Sequence, residues 1–301
     1  MAPRVPVDAP PPPRAEASDR GDEDTSELTA RPRCRSGRDR RGRGPRFRED
    51  GLGHYARIGD VLTWYDEQGA GDPLLLLHAG LGDSRDFGGL LDDLTPHFRV
   101  LRPDRRGHGR SPDVPGPTGY ASMAEDTTRF LEEVVGGPAH LLGHGDGGTV
   151  ALLTAIRRPD LVRRAVLVGA VFHHEGLVPE LRAALAQHGV GRVPEPLARA
   201  HEEVSPHGAG HAQDLWERLM TMMASEPTLR REDLARADVP VLVMSGDRDV
   251  VSLEHSVALF RGLPTGSLAI LPEATRSLVT EHPGLCGRIA RDFLLGATTT
   301  G

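Results

Sequence analysis

Lysine is missing from this chain: all 36 basic side chains are arginine. So uniform a preference reads as coding bias, not as a binding signal. The formal net charge of −7 gives the whole molecule no electrostatic match to nucleic acid. Cysteine is nearly missing as well. Cys34 and Cys286 are too few for a disulfide framework, and no zinc site is expected on them. Long apolar runs are also wanting, so no membrane span is expected. The Pro- and charge-rich N-terminus has no apolar stretch to serve as a signal sequence. A cytoplasmic, reducing setting is the expectation.

The 301 residues give room for one large domain or two small ones, and 38% hydrophobic with 26% charged residues suits a globular protein carrying a polar appendage. The appendage is residues 1–51. It opens on Pro10-Pro11-Pro12-Pro13, turns acidic at Asp22-Glu23-Asp24, and then carries Arg31, Arg33, Arg35, Arg38, Arg40, Arg41, Arg43, Arg46 and Arg48. Few apolar side chains are there to offset the entropy of ordering, so a disordered, solvated tail is expected in preference to a nucleic-acid or lipid contact.

Beyond residue 52 the texture changes. Strands are predicted at 61–65, 73–78, 98–101, 139–142, 164–171, 240–244 and 267–271. Helices are predicted at 122–135, 149–156, 253–260 and 283–295. The run Pro73-Leu74-Leu75-Leu76-Leu77-His78 is apolar throughout, as a strand buried on both faces requires. Strand alternating with helix gives an α/β class, a mostly parallel central sheet covered on both faces. Residues 172–235 interrupt the alternation with helical stretches at 177–186 and 214–225. That arrangement assigns 52–171 and 236–297 to the core and 172–235 to a helical cap over the carboxyl ends of the strands.

The segment Leu141-Leu142-Gly143-His144-Gly145-Asp146-Gly147-Gly148 lies between a predicted strand and a predicted helix. A strand–turn–helix of this kind is the nucleophile elbow, whose tightness demands small residues two before and two after its tip. Gly143 and Gly147 fill those places, so the tip is Gly145. Three further motifs accompany it: His78-Ala79-Gly80-Leu81 after a strand, Asp104-Arg105-Arg106-Gly107-His108-Gly109-Arg110-Ser111, and Gly246-Asp247-Arg248-Asp249 after a strand. In this order and spacing the four resemble a capped α/β-hydrolase of the esterase, peroxidase-like and epoxide-hydrolase type, over residues 52–297.

The resemblance implies a small-molecule, carboxylic-ester-type hydrolase with no cofactor and no metal. It implies an oxyanion hole from Gly80, Leu81 and Asp146, and Asp249 as the triad acid. Two positions depart from it. The nucleophile position is Gly145, which has no side chain, and the base position after the last strand is Arg276, which cannot accept a proton. In serine proteases, loss of nucleophile or base lowers turnover roughly a millionfold, while roughly 10³–10⁴ over water remains from the oxyanion hole and binding.

Several readings stay open at this stage. Asp146 is an alternative nucleophile if the elbow register shifts by one. His173, His174 or His282 is a substitute base. Arg276 either pairs with Asp249 or joins the oxyanion donors in an anion site. His78, His144, His173, Trp216, Leu219, Met222 and Met223 are the expected ligand-lining residues. A small-molecule ligand is the only partner implied; no nucleic acid or membrane partner is, and no motif sets an oligomeric state. The functional alternatives are a catalyst without a covalent intermediate and a binding or regulatory protein that keeps the pocket.

Overall fold

The structure is a computed structural model that describes residues 53–116, 118–188 and 191–296. The expected Pro- and Arg-rich tail lies outside the described residues. No helix among those described is long and apolar enough to cross a membrane.

Eight strands form one sheet in the order β1-β2-β4-β3-β5-β6-β7-β8. They are β1 (His54–Ile58), β2 (Val61–Gln68), β3 (Asp72–Leu77), β4 (Phe98–Pro103), β5 (Ala139–His144), β6 (Val162–Val168), β7 (Pro240–Gly246) and β8 (Thr265–Leu271). β2 runs against both its neighbours, and every other pairing is parallel. The helices are α1 (Leu91–Leu94), α2 (Tyr120–Phe130), α3 (Asp146–Arg157), α4 (Pro179–His188), α5 (Glu195–Glu202), α6 (His211–Ser225), α7 (Leu253–Gly262), α8 (Leu278–Glu281) and α9 (Pro283–Leu294).

Period-two alternation sorts the apolar strand residues onto two faces. Leu75 and Leu77, Leu141, Leu167 and Val243 pack with Met123, Phe130 and Val150 on the side of α2 and α3. Leu74 and Leu76, Leu142, Val166 and Leu242 pack with Phe87, Leu94 and Ala290 on the side of α1 and α9. Both faces of the central strands are therefore covered, which is why those strands read as unbroken apolar runs.

The chain passes from β3 to β4 on one side and then returns past β3 to β5 on the other. In an open parallel sheet that reversal leaves a crevice at the carboxyl ends of the two central strands. The segments that enter it are the loop after β3 and the turn after β5, which carry the two glycine-rich motifs.

Several features differ from the sequence expectation. β1, α1, α5 and α8 were not anticipated. β6 ends at Val168 instead of 171, because Gly169 takes a left-handed φ of +58° and turns the chain out of the sheet. Between β6 and β7 the chain is helical as expected, with α4, α5 and α6 in sequence. Leu215, Leu219 and Met223 recur every fourth residue and so share one face of α6. Leu215 approaches Gly107 in the turn after β4, Leu219 approaches Gly80 in the loop after β3, and Met223 lines the cavity at the end of β5.

Candidate functional site

The turn after β5 is an elbow with Gly145 at its tip. Gly145 has φ +54° and ψ −117°, conformations that L-residues rarely adopt. Its N–H donates to Val168 O at 2.8 Å, tying the tip to the neighbouring strand. A Cβ on Gly143 would fall on Gly147 O, and one on Gly147 would fall on Leu77 O. A Cβ on Gly145 would meet nothing closer than Ala79 Cβ at 3.3 Å. Bare backbone is thus required by packing at the two flanks but not at the tip. These contacts fix the register, so the shifted reading with Asp146 at the tip is corrected: Asp146 is the first residue of α3.

Asp146 is buried beside the tip. Oδ1 accepts from the Tyr120 hydroxyl at 2.8 Å, and Oδ2 lies against Gly80 with no hydrogen-bond partner. Burial first, and then the Asp146 charge, hold the Tyr120 phenol well above its ordinary pKa, so Tyr120 stays a donor. As the first residue of a helix, Asp146 has no intrahelical acceptor for its N–H. Among the described residues no protein acceptor takes the N–H of Gly80, Leu81 or Asp146. Leu81 holds a φ of +55° while buried, an uncommon strain for a branched residue.

His78 was expected to face a ligand; it instead braces the loop. It is fully buried, its Nε2 accepts from the Arg105 N–H at 3.0 Å, and its Nδ1 lies 2.8 Å from Ala79 O. That assigns its proton to Nδ1. Burial, reinforced by the Arg105 charge, holds its pKa well below the imidazole range. The buried Arg105 guanidinium donates to His78 O at 2.7 Å and to Ala79 O at 3.0 Å. His144, just before the tip, is buried too. Its Nε2 donates to Arg276 O at 2.6 Å, anchoring the loop after β8 to the elbow. Burial lowers its pKa to about 4, so the ring is neutral near pH 7.

Asp249 follows β7 and is buried. Oδ1 accepts from Val251 N–H at 3.2 Å and Oδ2 from the Ser245 hydroxyl at 3.3 Å. Burial raises its pKa, partly offset by those donors and by the Arg276 charge. The expected Arg276–Asp249 ion pair does not form: among the described residues no such pair lies within 4.0 Å. The longer arginine reaches past Asp249 to the tip, where Nη2 stands 3.5 Å from the Cβ position of Gly145.

Gly145, Asp146, Asp249 and Arg276 surround one cavity of about 20 Å³, enough for a single water. Tyr120, Thr149, Gly169, Val171, Leu177, Met223, Val250 and Val251 complete its wall, and no Ser, Cys or His is among them. Of the expected ligand-lining residues, only Met223 reaches it. Leu219 roofs Gly80, Met222 is buried in the core, and Trp216 packs half-buried against it. His173 lies outside: it caps a short 3-10 turn through Glu175 N–H and stacks on His174. His282 sits between α8 and α9, away from the cavity wall. Sequence reasoning missed Tyr120 and Leu177. Neither belongs to a motif, and only the packing of α2 and the loop after β6 brings them in. Arg105 lay in plain view within a motif but was not given a role.

A mostly parallel eight-stranded sheet with a strained elbow, a donor-rich loop and an acid after β7 defines the α/β-hydrolase architecture. A sequence model described as alpha/beta hydrolase fold matches residues 72–221. A homologue in Agrobacterium fabrum, named carbamate hydrolase RutD, is 29% identical over 251 residues, 76% of this chain and 95% of its own. The sn-1-specific diacylglycerol lipase ABHD11 of Danio rerio is 38% identical over 106 residues, 35% of this chain and 33% of that one. A solved hydrolase from Pseudomonas aeruginosa PA01 superposes with a TM-score of 0.66 at 26% identity, covering 82% of this chain and 100% of that one. A meta-cleavage product hydrolase from Pseudomonas fluorescens IP01 gives 0.67 at 22%, covering 82% and 99%. The chain belongs to the α/β-hydrolase fold superfamily.

Proposed function

We propose that this protein uses the hydrolase scaffold to bind the carboxylate end of a small molecule, and that it forms no covalent acyl intermediate. The observation that carries the reading is the Arg276 guanidinium: it stands over the elbow tip, 3.5 Å from the Gly145 Cβ position, with no carboxylate within 4.0 Å among the described residues. Acyl transfer by Ser–His chemistry needs a nucleophile with a base beside it. Here the tip has no side chain, a permanently protonated group takes the base position, and the cavity wall holds no imidazole. A guanidinium fits a carboxylate with two parallel hydrogen bonds, and the N–H groups of Gly80, Leu81 and Asp146 supply further donors. The helical segment between β6 and β7 acts as the cap of this pocket.

The Asp146 carboxylate lies against Gly80 in the donor loop, where it opposes any negative charge, so the attraction for a carboxylate rests on Arg276. Arg105 and Arg276 offset Asp146 and Asp249. Titration of acetate and longer carboxylates into wild type and Arg276→Ala tests the reading. A charge-assisted pair of bonds contributes about 1.5–3 kcal/mol, so the variant is expected to bind about ten to a hundred times more weakly. Equal affinity in the two proteins would defeat the assignment of Arg276.

A second reading is favoured by Asp249. Its raised pKa and its place on a water-sized cavity suit a general base for a water, which would allow slow hydrolysis without an acyl-enzyme. The names of the homologues, carbamate hydrolase among them, are compatible with that chemistry. Loss of steady-state turnover in Asp249→Asn, with no burst in wild type, is its signature.

A further inference from the structure

A second cluster of titratable groups lies away from the elbow, where the helical segment between β6 and β7 meets the loop after β4. Its members are His201 on α5, His207 in the following loop, His211 on α6, and Asp113 in the core loop. With all three rings neutral, their hydrogen bonds admit one proton arrangement. His211 Nε2 lies 3.4 Å from Asp113 Oδ2 and serves as its donor. His211 Nδ1 is then an acceptor, so His201 Nε2, 2.9 Å away, carries the proton it receives. His207 Nε2 accepts the Asp113 N–H at 2.7 Å, so that nitrogen is unprotonated. His207 also stacks on His211 with ring centroids 4.1 Å apart. One added proton is accommodated: His211 can donate to both Asp113 Oδ2 and His201 Nε2, with the His201 proton moved to Nδ1. Protonation of both His201 and His211 sets two N–H groups against each other.

We infer that His201, His207, His211 and Asp113 form an acid-released latch that holds the segment between β6 and β7 closed over the elbow. α6 is the part the latch holds. His211 lies one turn before Leu215 on the face that continues through Leu219 and Met223, so release at His211 loosens the side chains that roof the turn after β4, the donor loop and the elbow cavity. The inference does not depend on what the elbow binds.

The charges around the latch reinforce it. His201 faces His211 and His207 on its own segment, and Asp83 and Arg85 on the core; the buried His108 feels it as well. His211 faces His207, Asp113 and Arg218. Arg218 also donates to Asp113, and Arg106 lies near enough to interact with that carboxylate. Burial, and then the neighbouring imidazole, lowers the His201 pKa to about 4. Burial and His207 lower that of His211. A released imidazole returns to the ordinary value near 6.5. The closing energy is therefore fully present above about pH 6.5 and is lost as pH falls from there towards 4.

Hydrogen exchange of the full chain tests the latch. With values of 6.5 open and about 4 closed, His201 alone makes opening of residues 195–225 about twentyfold more populated at pH 5 than at pH 7, after correction for intrinsic exchange. Strands β3 and β5 are expected to keep their protection. In His201→Gln/His211→Gln the pH dependence of residues 195–225 is expected to vanish. Three results overturn the latch: equal opening at both pH values in wild type, an unchanged pH dependence in the double variant, or parallel loss of protection in β3 and β5. Should the double variant not fold, imidazole titration of wild type by NMR decides. A His201 midpoint that coincides with the opening supports the latch, and a His201 ring still neutral after opening contradicts it.

Discussion

Gly145 holds a backbone conformation suited to glycine, and a methyl group beside it needs Ala79 Cβ, 3.3 Å from the Cβ position, to give by only a few tenths of an ångström. Gly145→Ala is therefore expected to fold and to lose only the strain of φ +54°, about 1–3 kcal/mol. Gly147→Ala sets a Cβ on Leu77 O and is expected to lose more than about 4 kcal/mol or to fail to fold. Urea denaturation of the two variants measures the difference, and equal losses would contradict the assigned elbow register. The sequence made both glycines legible, since the small–x–tip–x–small spacing singles out Gly145 without coordinates. It also singled out Arg276 and Asp249. It could not give the separation of those two, because that depends on which way a long side chain turns. The expected ion pair was wrong for that reason. His78 and His144 were read as ligand-facing because a histidine in a loop motif looks alike whether it faces the pocket or braces the backbone.

At the scale of the element, α6 matters most. Leu219 is fully buried and contacts the donor loop at Gly80. Leu219→Ala is expected to cost about 2–5 kcal/mol through the cavity it leaves, and to speed exchange of α6 more than that of β3 or β5. A uniform rise in exchange would instead mean that α6 and the sheet unfold as one unit. The helical period of Leu215, Leu219 and Met223 was readable in the sequence, and so was a buried face. Which residues of that face reach the pocket was not: Met222 and Met223 are adjacent and equally apolar, but only Met223 lines the cavity. β1 and α5 escaped notice because β1 is a short edge strand and α5 opens on prolines.

At the scale of the whole molecule, burial keeps imidazoles beyond the latch neutral, His78 and His108 among them. His140, His144 and His255 each have a pKa lowered to about 4. Since the unfolded chain protonates them near 6.5, their contribution is complete above that pH and is lost as pH falls towards 4. Each removes up to about 1.4 kcal/mol per pH unit across the window. The urea midpoint is expected to fall steeply below pH 6.5 and less steeply in His144→Gln; a midpoint level from pH 6.5 to 4.5 would contradict this. The α/β alternation and the parallel sheet were legible throughout, because buried parallel strands and amphipathic helices write different periods into the sequence. What a hydrolase scaffold does without a side chain at its tip is decided most directly by stopped-flow assay of wild type and Gly145→Ser/Arg276→His on an aryl ester. No burst from wild type, with a burst of about one equivalent from the double variant, is the expected result. A stoichiometric burst from wild type would contradict the account.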